Sequence, residues 1–343
     1  MLARILGLLL MGYALGADAD IDYPTFQKLT RSLMKVEAAN ADGSVSIGTG
    51  VVVGRGMVVT NCHVTQRARS IELVQGSLRK SVHAQQSDIE HDLCLLYSPF
   101  VDEEPIASLH LGIPRIGQVV YAVGYIFGIA PQMNPGQVNA LYDFDGAKVI
   151  RSSTPFTSGA SGGGLFDEEG RLIGIVTFKY RAGSAYHFSV PVRWVEAALT
   201  RFQGQPVAPL AGTPFWNRQT EAQPFFLRAA TLEAEEDWNE LTRVARLWTD
   251  AEAGNASAWQ ALGKAYFRMR QNEQSINAYK TALRLDGKLV EVWYNLGLAY
   301  ANTGNTADTQ RVHDALFKLD PEMASELTKH APECAKTPNT ALC

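Results

Sequence analysis

Two different rhythms of apolar and polar positions divide the chain. From Ser32 to about Val195, short runs rich in valine and isoleucine recur at Leu33–Ala38, Ile47–Val53, Met57–Thr60, Ile71–Val74, Leu93–Tyr97, Val119–Val123, Leu172–Phe178 and Tyr186–Val190. Glycine, asparagine, aspartate and proline punctuate them. This is the pattern of many short strands folded as a sandwich or as barrels. Gly54-Arg55-Gly56 predicts a tight hairpin between two of the strands. Residues 200–222 break the rhythm: the segment 205–214 is rich in proline and glycine, has no period, and reads as a linker. From about Gln223 the spacing turns helical.

Within the helical part a repeat stands out. Trp259, Leu262, Gly263, Ala265 and Tyr266 recur as Trp293, Leu296, Gly297, Ala299 and Tyr300, and Leu285-Asp286 recurs as Leu319-Asp320, each 34 residues on. The period and the W-x₂-L-G-x₂-Y pattern resemble the tetratricopeptide repeat. Gly263 and Gly297 are expected where two helices approach closely, with tryptophan and tyrosine filling the gap. Pro321 closes its repeat. Residues 223–255 read as a degenerate preceding repeat, with Trp238, Leu241 and Ala245 on one helical face. Roughly three such units are usually needed for a stable stack.

Composition adds a compartment. Arg4, the uncharged apolar run Ile5–Leu15 and the Ala17-x-Ala19 pattern read as a secretory leader over residues 1–19, too short to span a bilayer comfortably. Export would place the chain, in a bacterium, in the periplasm, where disulfides persist. Of the four cysteines, Cys334 and Cys343 are close together in the tail, and one bridge is expected there. The formal net charge of −4, with no basic face, argues against a nucleic-acid partner. No HExxH and no Cys/His cluster appears, so neither a metal site nor a cofactor is expected.

Three strings carry chemistry: TNCHV at 60–64, HDLCLL at 91–96 and TSGASGGGLF at 157–166. A serine hydroxyl needs an adjacent base, and the base needs an orienting acceptor. Ser161 sits among glycines that allow a tight loop and let backbone N–H groups converge. The Gly159 and Ser161 amides would form an oxyanion hole. His63 would be the base and Asp92 its orienting partner. Each string alone is weak, but the order His-Asp-Ser differs from those of α/β-hydrolases and subtilisins. His83 and His91 are the rival bases, and neither lies in a comparable turn. Cys62 and Cys94 flank two of the three residues. They read as a second bridge or as two buried thiols.

Residues 32–199 resemble trypsin-like serine peptidases of the HtrA (DegP-like) branch. GTGVVVGRGMVVTNCHV at 48–64, HDLCLL and GASGGGLFDEEGRLIGIVT at 159–177 carry the resemblance. It implies a mainly-β, chymotrypsin-like domain of two perpendicular barrels with His63, Asp92 and Ser161 in the cleft between them. It also places the substrate pocket floor at Pro155 and its wall at Thr177, Phe178 and Lys179. His187 would either line that pocket or pack within the strand. With no acid at Pro155, preference for basic side chains is not expected; small or aliphatic ones are. Ala160 lacks the aspartate of the digestive zymogen switch, and repeats stand where the branch usually has PDZ domains. The expected organisation is a leader at 1–19, a peptidase domain at 20–199, a linker at 200–222, an all-α repeat domain at 223–330 and a cysteine-containing tail at 331–343. The expected activity is that of an exported serine endopeptidase acting on protein or peptide substrates, with a protein partner in the repeat groove. The alternative is an inactive peptidase-fold scaffold or repeat adaptor.

Overall fold

The computed structural model describes residues 23–182 and 184–336, without the side chains of 180–185 and 333–336. The expected leader, Cys343 and the Cys334 side chain lie outside the described residues, and with them the expected tail bridge. Among the described residues no helix is long and apolar enough to cross a membrane.

A short helix α1 (Tyr23–Thr30) precedes seven strands: β1 (Leu33–Asn40), β2 (Val45–Gly54), β3 (Met57–Thr60), β4 (Ala68–Gln75), β5 (Leu78–Ser81), β6 (Ala84–Asp88) and β7 (Leu93–Tyr97), with one helical turn, α2 (Cys62–Thr65), between β3 and β4. They form one sheet in the order β5-β4-β1-β2-β3-β7-β6. Next come β8 (Val119–Ile126), β9 (Ala130–Phe144), β10 (Ala147–Ser152), β11 (Gly164–Asp167), β12 (Leu172–Ala182) and β13 (Ser184–Pro191), which close a six-stranded barrel in the order β10-β13-β12-β11-β8-β9. The expected pair of barrels is therefore one closed barrel and one open, curled sheet. The sheet stays open because β5 pairs only with β4, and β6 only with β7 among the strands. A core including Met34, Val36, Val52, Val58, Ile71, Leu73 and Leu96 fills the sheet, and Val120, Ile150, Leu165, Ile173 and Val176 fill the barrel.

Helix α3 (Val192–Thr200) closes the β-region. The segment after it, read from sequence as a linker, is a strap laid on the free edge of β6. Gln85 and Gln205 exchange backbone hydrogen bonds at 2.7 and 2.8 Å, Gln85 Nε2 donates to Ala208 O, and Leu210 N–H donates to Gln66 O. An uncovered strand edge is a template for pairing with other chains, and the strap occupies it. Phe215, fully buried, anchors the far end. Burying such a ring is worth about 1.5–3 kcal/mol.

The strap enters three helical hairpins: α4 (Phe225–Ala234) with α5 (Trp238–Ala251), α6 (Ala256–Arg268) with α7 (Asn272–Leu285), and α8 (Val290–Asn302) with α9 (Thr306–Leu319). Helix α10 (Pro321–Lys336) packs on the last pair. The 34-residue repeat is visible in single contacts: Trp259 Nε1 donates to Ala253 O and Trp293 Nε1 to Gly287 O, both at 2.9 Å. The two glycines sit where they must. A Cβ on Gly263 would meet the Tyr279 ring at 2.5 Å, and one on Gly297 would meet Leu327 at 2.5 Å. Trp238, Leu241 and Ala245 lie on the second helix of the degenerate hairpin, with Leu241 and Ala245 buried.

The first helix of each hairpin faces the barrel. Tyr142 of β9 stacks on Phe226 of α4 at 5.0 Å between centroids. Glu233 of α4 pairs with Lys264 of α6, which also reaches Glu291 of α8, and Arg151 of β10 lies 4.0 Å from Glu233 with its guanidinium 4.5 Å over Tyr186. Burial pushes the Glu233 carboxyl up, but Lys264 and Arg151 outweigh this and hold it below the ordinary carboxylate range. Burial pushes the Tyr142 hydroxyl up to about 12. The helix face expected to receive a partner is thus turned, in part, toward the chain's own barrel.

Candidate active site

His63 lies in α2, directly after β3, and Asp92 directly precedes β7. These two strands pair in register, Thr60 opposite Cys94, so the two strings are adjacent by construction. Cys62 and Cys94 are joined by a disulfide across this junction, with Cα atoms 4.8 Å apart. Asp92 takes φ of +57°, a left-handed conformation that aspartate tolerates better than most residues. That turn aims its carboxylate back at α2.

The Asp92 carboxylate, wholly shielded from solvent, accepts three N–H groups. Oδ1 accepts from the His63 backbone at 2.8 Å, and Oδ2 lies 2.6 Å from His63 Nδ1 and accepts from Trp216 Nε1 at 3.1 Å. A buried carboxylate is costly unless so satisfied. The bond at Nδ1 leaves Nε2 as the ring nitrogen able to take a proton. Asn61, fully buried, donates from Nδ2 to Asp92 O at 2.9 Å and to Thr177 Oγ1 at 3.2 Å, tying the aspartate turn to β12.

The Ser161 loop is pinned from the opposite side. Thr49 of β2 holds it with two bonds, its N–H donating to Ser161 O at 2.8 Å and its hydroxyl to Gly159 O at 2.7 Å, and the hydroxyl is itself fixed by accepting from Tyr125 N–H of β8 at 2.8 Å. A Cβ on Gly162 would lie 3.0 Å from Asn61 N, which shows how tightly the serine loop abuts the histidine turn. Gly159, with φ of +93°, and Gly162, with φ of +85°, adopt conformations that side chains rarely allow. Ser158 O accepts from Phe127 N–H at 2.8 Å. In a trans peptide the next N–H points the other way, so the Gly159 N–H is turned off the β8–β9 connection. Among the described residues, neither the Gly159 nor the Ser161 N–H donates to another protein group, and Ser161 Oγ makes no hydrogen bond to His63.

The rival histidines are elsewhere occupied. His91 bonds Asp88 at 2.8 Å and packs on Trp194 with ring centroids 3.9 Å apart; His83 packs on Phe100. Burial pushes the His91 imidazole down, but Asp88 and Asp145 outweigh it and hold it above the ordinary value. Of the expected pocket residues, Pro155 is exposed at the loop before the serine, and Thr177 is buried against Asn61. Phe178, expected in the pocket wall, turns its ring inward. Its ring is 6% exposed and stacked between Phe188 at 4.7 Å and Trp216 at 5.2 Å, so it is a core group. His187 is buried beside Phe156, and burial together with Lys179 pushes its imidazole down. Lys179 reaches from β12 to Phe156 O at 3.2 Å.

The family model described as a trypsin-like peptidase domain matches residues 48–175, which span all three strings. That segment is similar to trypsin-like peptidase domains. A TPR repeat model matches residues 263–304. The chain is 30% identical over 177 residues to the human peroxisomal leader peptide-processing protease, covering 45% of this chain and 31% of that protein. It is 29% identical over 194 residues to the chloroplastic protease Do-like 1 of Arabidopsis thaliana, covering 51% and 44%. It is 28% identical over 160 residues to a probable periplasmic serine endoprotease, DegP-like, of Halomonas elongata, covering 43% and 33%. The chain spans about a third of the length of the first curated relatives it matches. Among solved structures, a protease of M. tuberculosis in its active form is 21% identical with a TM-score of 0.52, covering 62% of this chain and 98% of that one; the likeness is one of fold.

Three contributors to the peptidase-domain site escape sequence reasoning: Thr49, Asn61 and Trp216. Asn61 and Thr49 lie inside quoted strings, but a threonine and an asparagine in a strand and its turn carry no signal of long-range bonding. Trp216 lies in the aperiodic strap and has no local signal at all.

Proposed function

We propose that the chain is a serine endopeptidase that cleaves peptide bonds through an acyl-enzyme on Ser161. His63 Nε2 takes the Ser161 hydroxyl proton as Oγ bonds to the substrate carbonyl carbon. The carbonyl oxygen becomes an oxyanion facing the Gly159 and Ser161 N–H groups. The proton on His63 passes to the leaving amine as the C–N bond breaks. A water then repeats the sequence on the ester and releases the acid and the free serine. Asp92 keeps the ring in the tautomer this requires. The Ser161–His63 hydrogen bond closes when a substrate is bound, since such contacts are often loose in the empty site.

The observation that carries this reading is the Asp92 carboxylate gripping both the ring and the backbone of His63, next to a serine loop whose two amides are unspent. Pro155 and the buried His187 give no acid for a basic substrate side chain, which supports small or aliphatic preference. The leader-like residues 1–19 and the Cys62–Cys94 bridge support export to an oxidising compartment such as the periplasm. The repeat helices serve protein recognition. Purified protein should hydrolyse casein, and Ser161→Ala should lower kcat by roughly 10⁶. Casein hydrolysis unchanged in that variant contradicts the reading.

A further inference from the structure

Trp216 touches both members of the His63–Asp92 pair, yet it lies beyond the segment that matches the peptidase family. Its Nε1 donates to Asp92 Oδ2, the same oxygen that faces His63 Nδ1. Its ring meets the His63 ring edge-on, with centroids 5.5 Å apart and planes at 86°. The indole is itself held firmly. It stacks on Phe178 at an interplanar angle of 12°, and Phe178 stacks in turn on Phe188. Its carbonyl accepts from Gln223 Nε2 at 3.1 Å. On either side of it the strap is tied to Glu90, two residues before the aspartate: Phe215 N–H donates to Glu90 O at 3.0 Å, and Arg218 pairs with the Glu90 side chain.

We propose that Trp216 is a positioning residue for the catalytic pair, delivered by the strap that connects the barrel to the helical repeats; the inference rests on the triad reading above. Asp92 Oδ2 carries the bond that orients His63. Without the indole N–H, that oxygen depends on the imidazole alone, and the carboxylate is held only by its two bonds to His63. Without the indole ring, the outer face of His63 loses its packing. Trp216 is half-buried, so it also shields this side of the pair from water. The strap runs on into α4, whose Phe226 stacks on the barrel at Tyr142. The seat of the indole is therefore set by where the repeats dock, and the working catalytic unit extends past residue 200.

The test uses the full mature chain. Trp216→Phe keeps a ring to stack on Phe178 and removes the donor. It should lower kcat roughly 10- to 100-fold with KM little changed, the range found when a hydrogen-bonded supporting residue is lost. Arg218→Ala, which loosens the strap without touching the pair, should cost less. In proton NMR the far-downfield His63 Nδ1–H resonance should shift or broaden in Trp216→Phe, a readout that a packing role alone would leave in place. In the unsubstituted protein the Trp216 indole N–H should exchange slowly, which keeps the inference testable should the variant fold poorly. A wild-type kcat and an unmoved resonance in folded Trp216→Phe overturn the inference, as does an indole N–H that exchanges as fast as an exposed one. Failure of the triad reading looks different: Ser161→Ala would then stay active whatever Trp216 does.

Discussion

The β-region and the helical repeats are built from contacts of very different reach. In the β-region the bonds that shape the site join residues 110, 116 and 124 positions apart: Thr49 to Gly159, Asn61 to Thr177, and Trp216 to Asp92. In the repeats the defining bonds span 6 or 12 positions, as in Trp259 to Ala253 and Ser275 to Gly263 O. A site made of distant strings is assembled all at once or not at all. A stack of hairpins gains stability unit by unit from its neighbours. Damage in the β-region should therefore be felt at the reacting atoms, whereas damage in the repeats should stay where it is made. The strap is the exception, because it carries one side chain from the second region's entrance into the first region's site.

The sharpest break of that contrast is Asp92→Asn. The shape of the turn is kept, but the acceptor that sets the His63 tautomer is lost, and kcat should fall by about 10⁴ while the melting of the repeats is unchanged. A fall of less than tenfold would mean that the aspartate does not orient the histidine. Next comes the bridge. Reducing Cys62–Cys94, which closes a span of 32 residues, should cost about 2–4 kcal/mol of stability in urea unfolding, confined to the β-region. Peptide mapping without reductant should recover the two cysteines linked; two alkylatable thiols in native protein contradict this. In the repeats, Gly263→Ala drives a methyl into the Tyr279 ring. It should cost about 1–3 kcal/mol of helical stability and leave the rate of Ser161 acylation unaltered while the repeats remain folded.

The smallest effect concerns pH. The His91 imidazole is held above its ordinary value of 6.5 in the folded chain, so its stabilising contribution is full below pH 6.5 and is lost as pH rises through the raised folded value. The advantage in melting temperature of the unsubstituted chain over His91→Gln should therefore be constant below pH 6.5 and shrink as pH rises from 6.5 through the raised folded value. An advantage that stays constant as pH rises above 6.5 would show that the Asp88 pairing does not stabilise the charged ring.

What could be read along the chain follows the same division of reach. The runs Met57–Thr60 and Leu93–Tyr97 are strands to the residue, because both are continuous apolar segments bounded by turns. The long strand β9 is not legible. Pro131, Pro135 and Gly136 interrupt it, and it is a strand only because β8 and β10 pair with it on either side. The three strings of the site are legible because the backbone demands particular residues there, glycine at 159 and 162 above all. Thr49 and Trp216 are silent, since any strand threonine or loop tryptophan looks the same until its distant partner arrives. The segment 205–214 reads as a linker for the same reason: its hydrogen bonds go to Gln85 and Gln66, more than a hundred residues earlier. The helical period, by contrast, repeats within the window in which local packing is decided.

In the proposed triad, distant strings converge to make Ser161, and no other hydroxyl, a nucleophile. A serine-directed phosphonate followed by mass mapping of the adduct addresses it directly. A single adduct is expected on Ser161 in the unsubstituted chain, and none in Ser161→Ala or in chain unfolded before exposure. An adduct on another residue, or equal labelling of folded and unfolded chain, would contradict it.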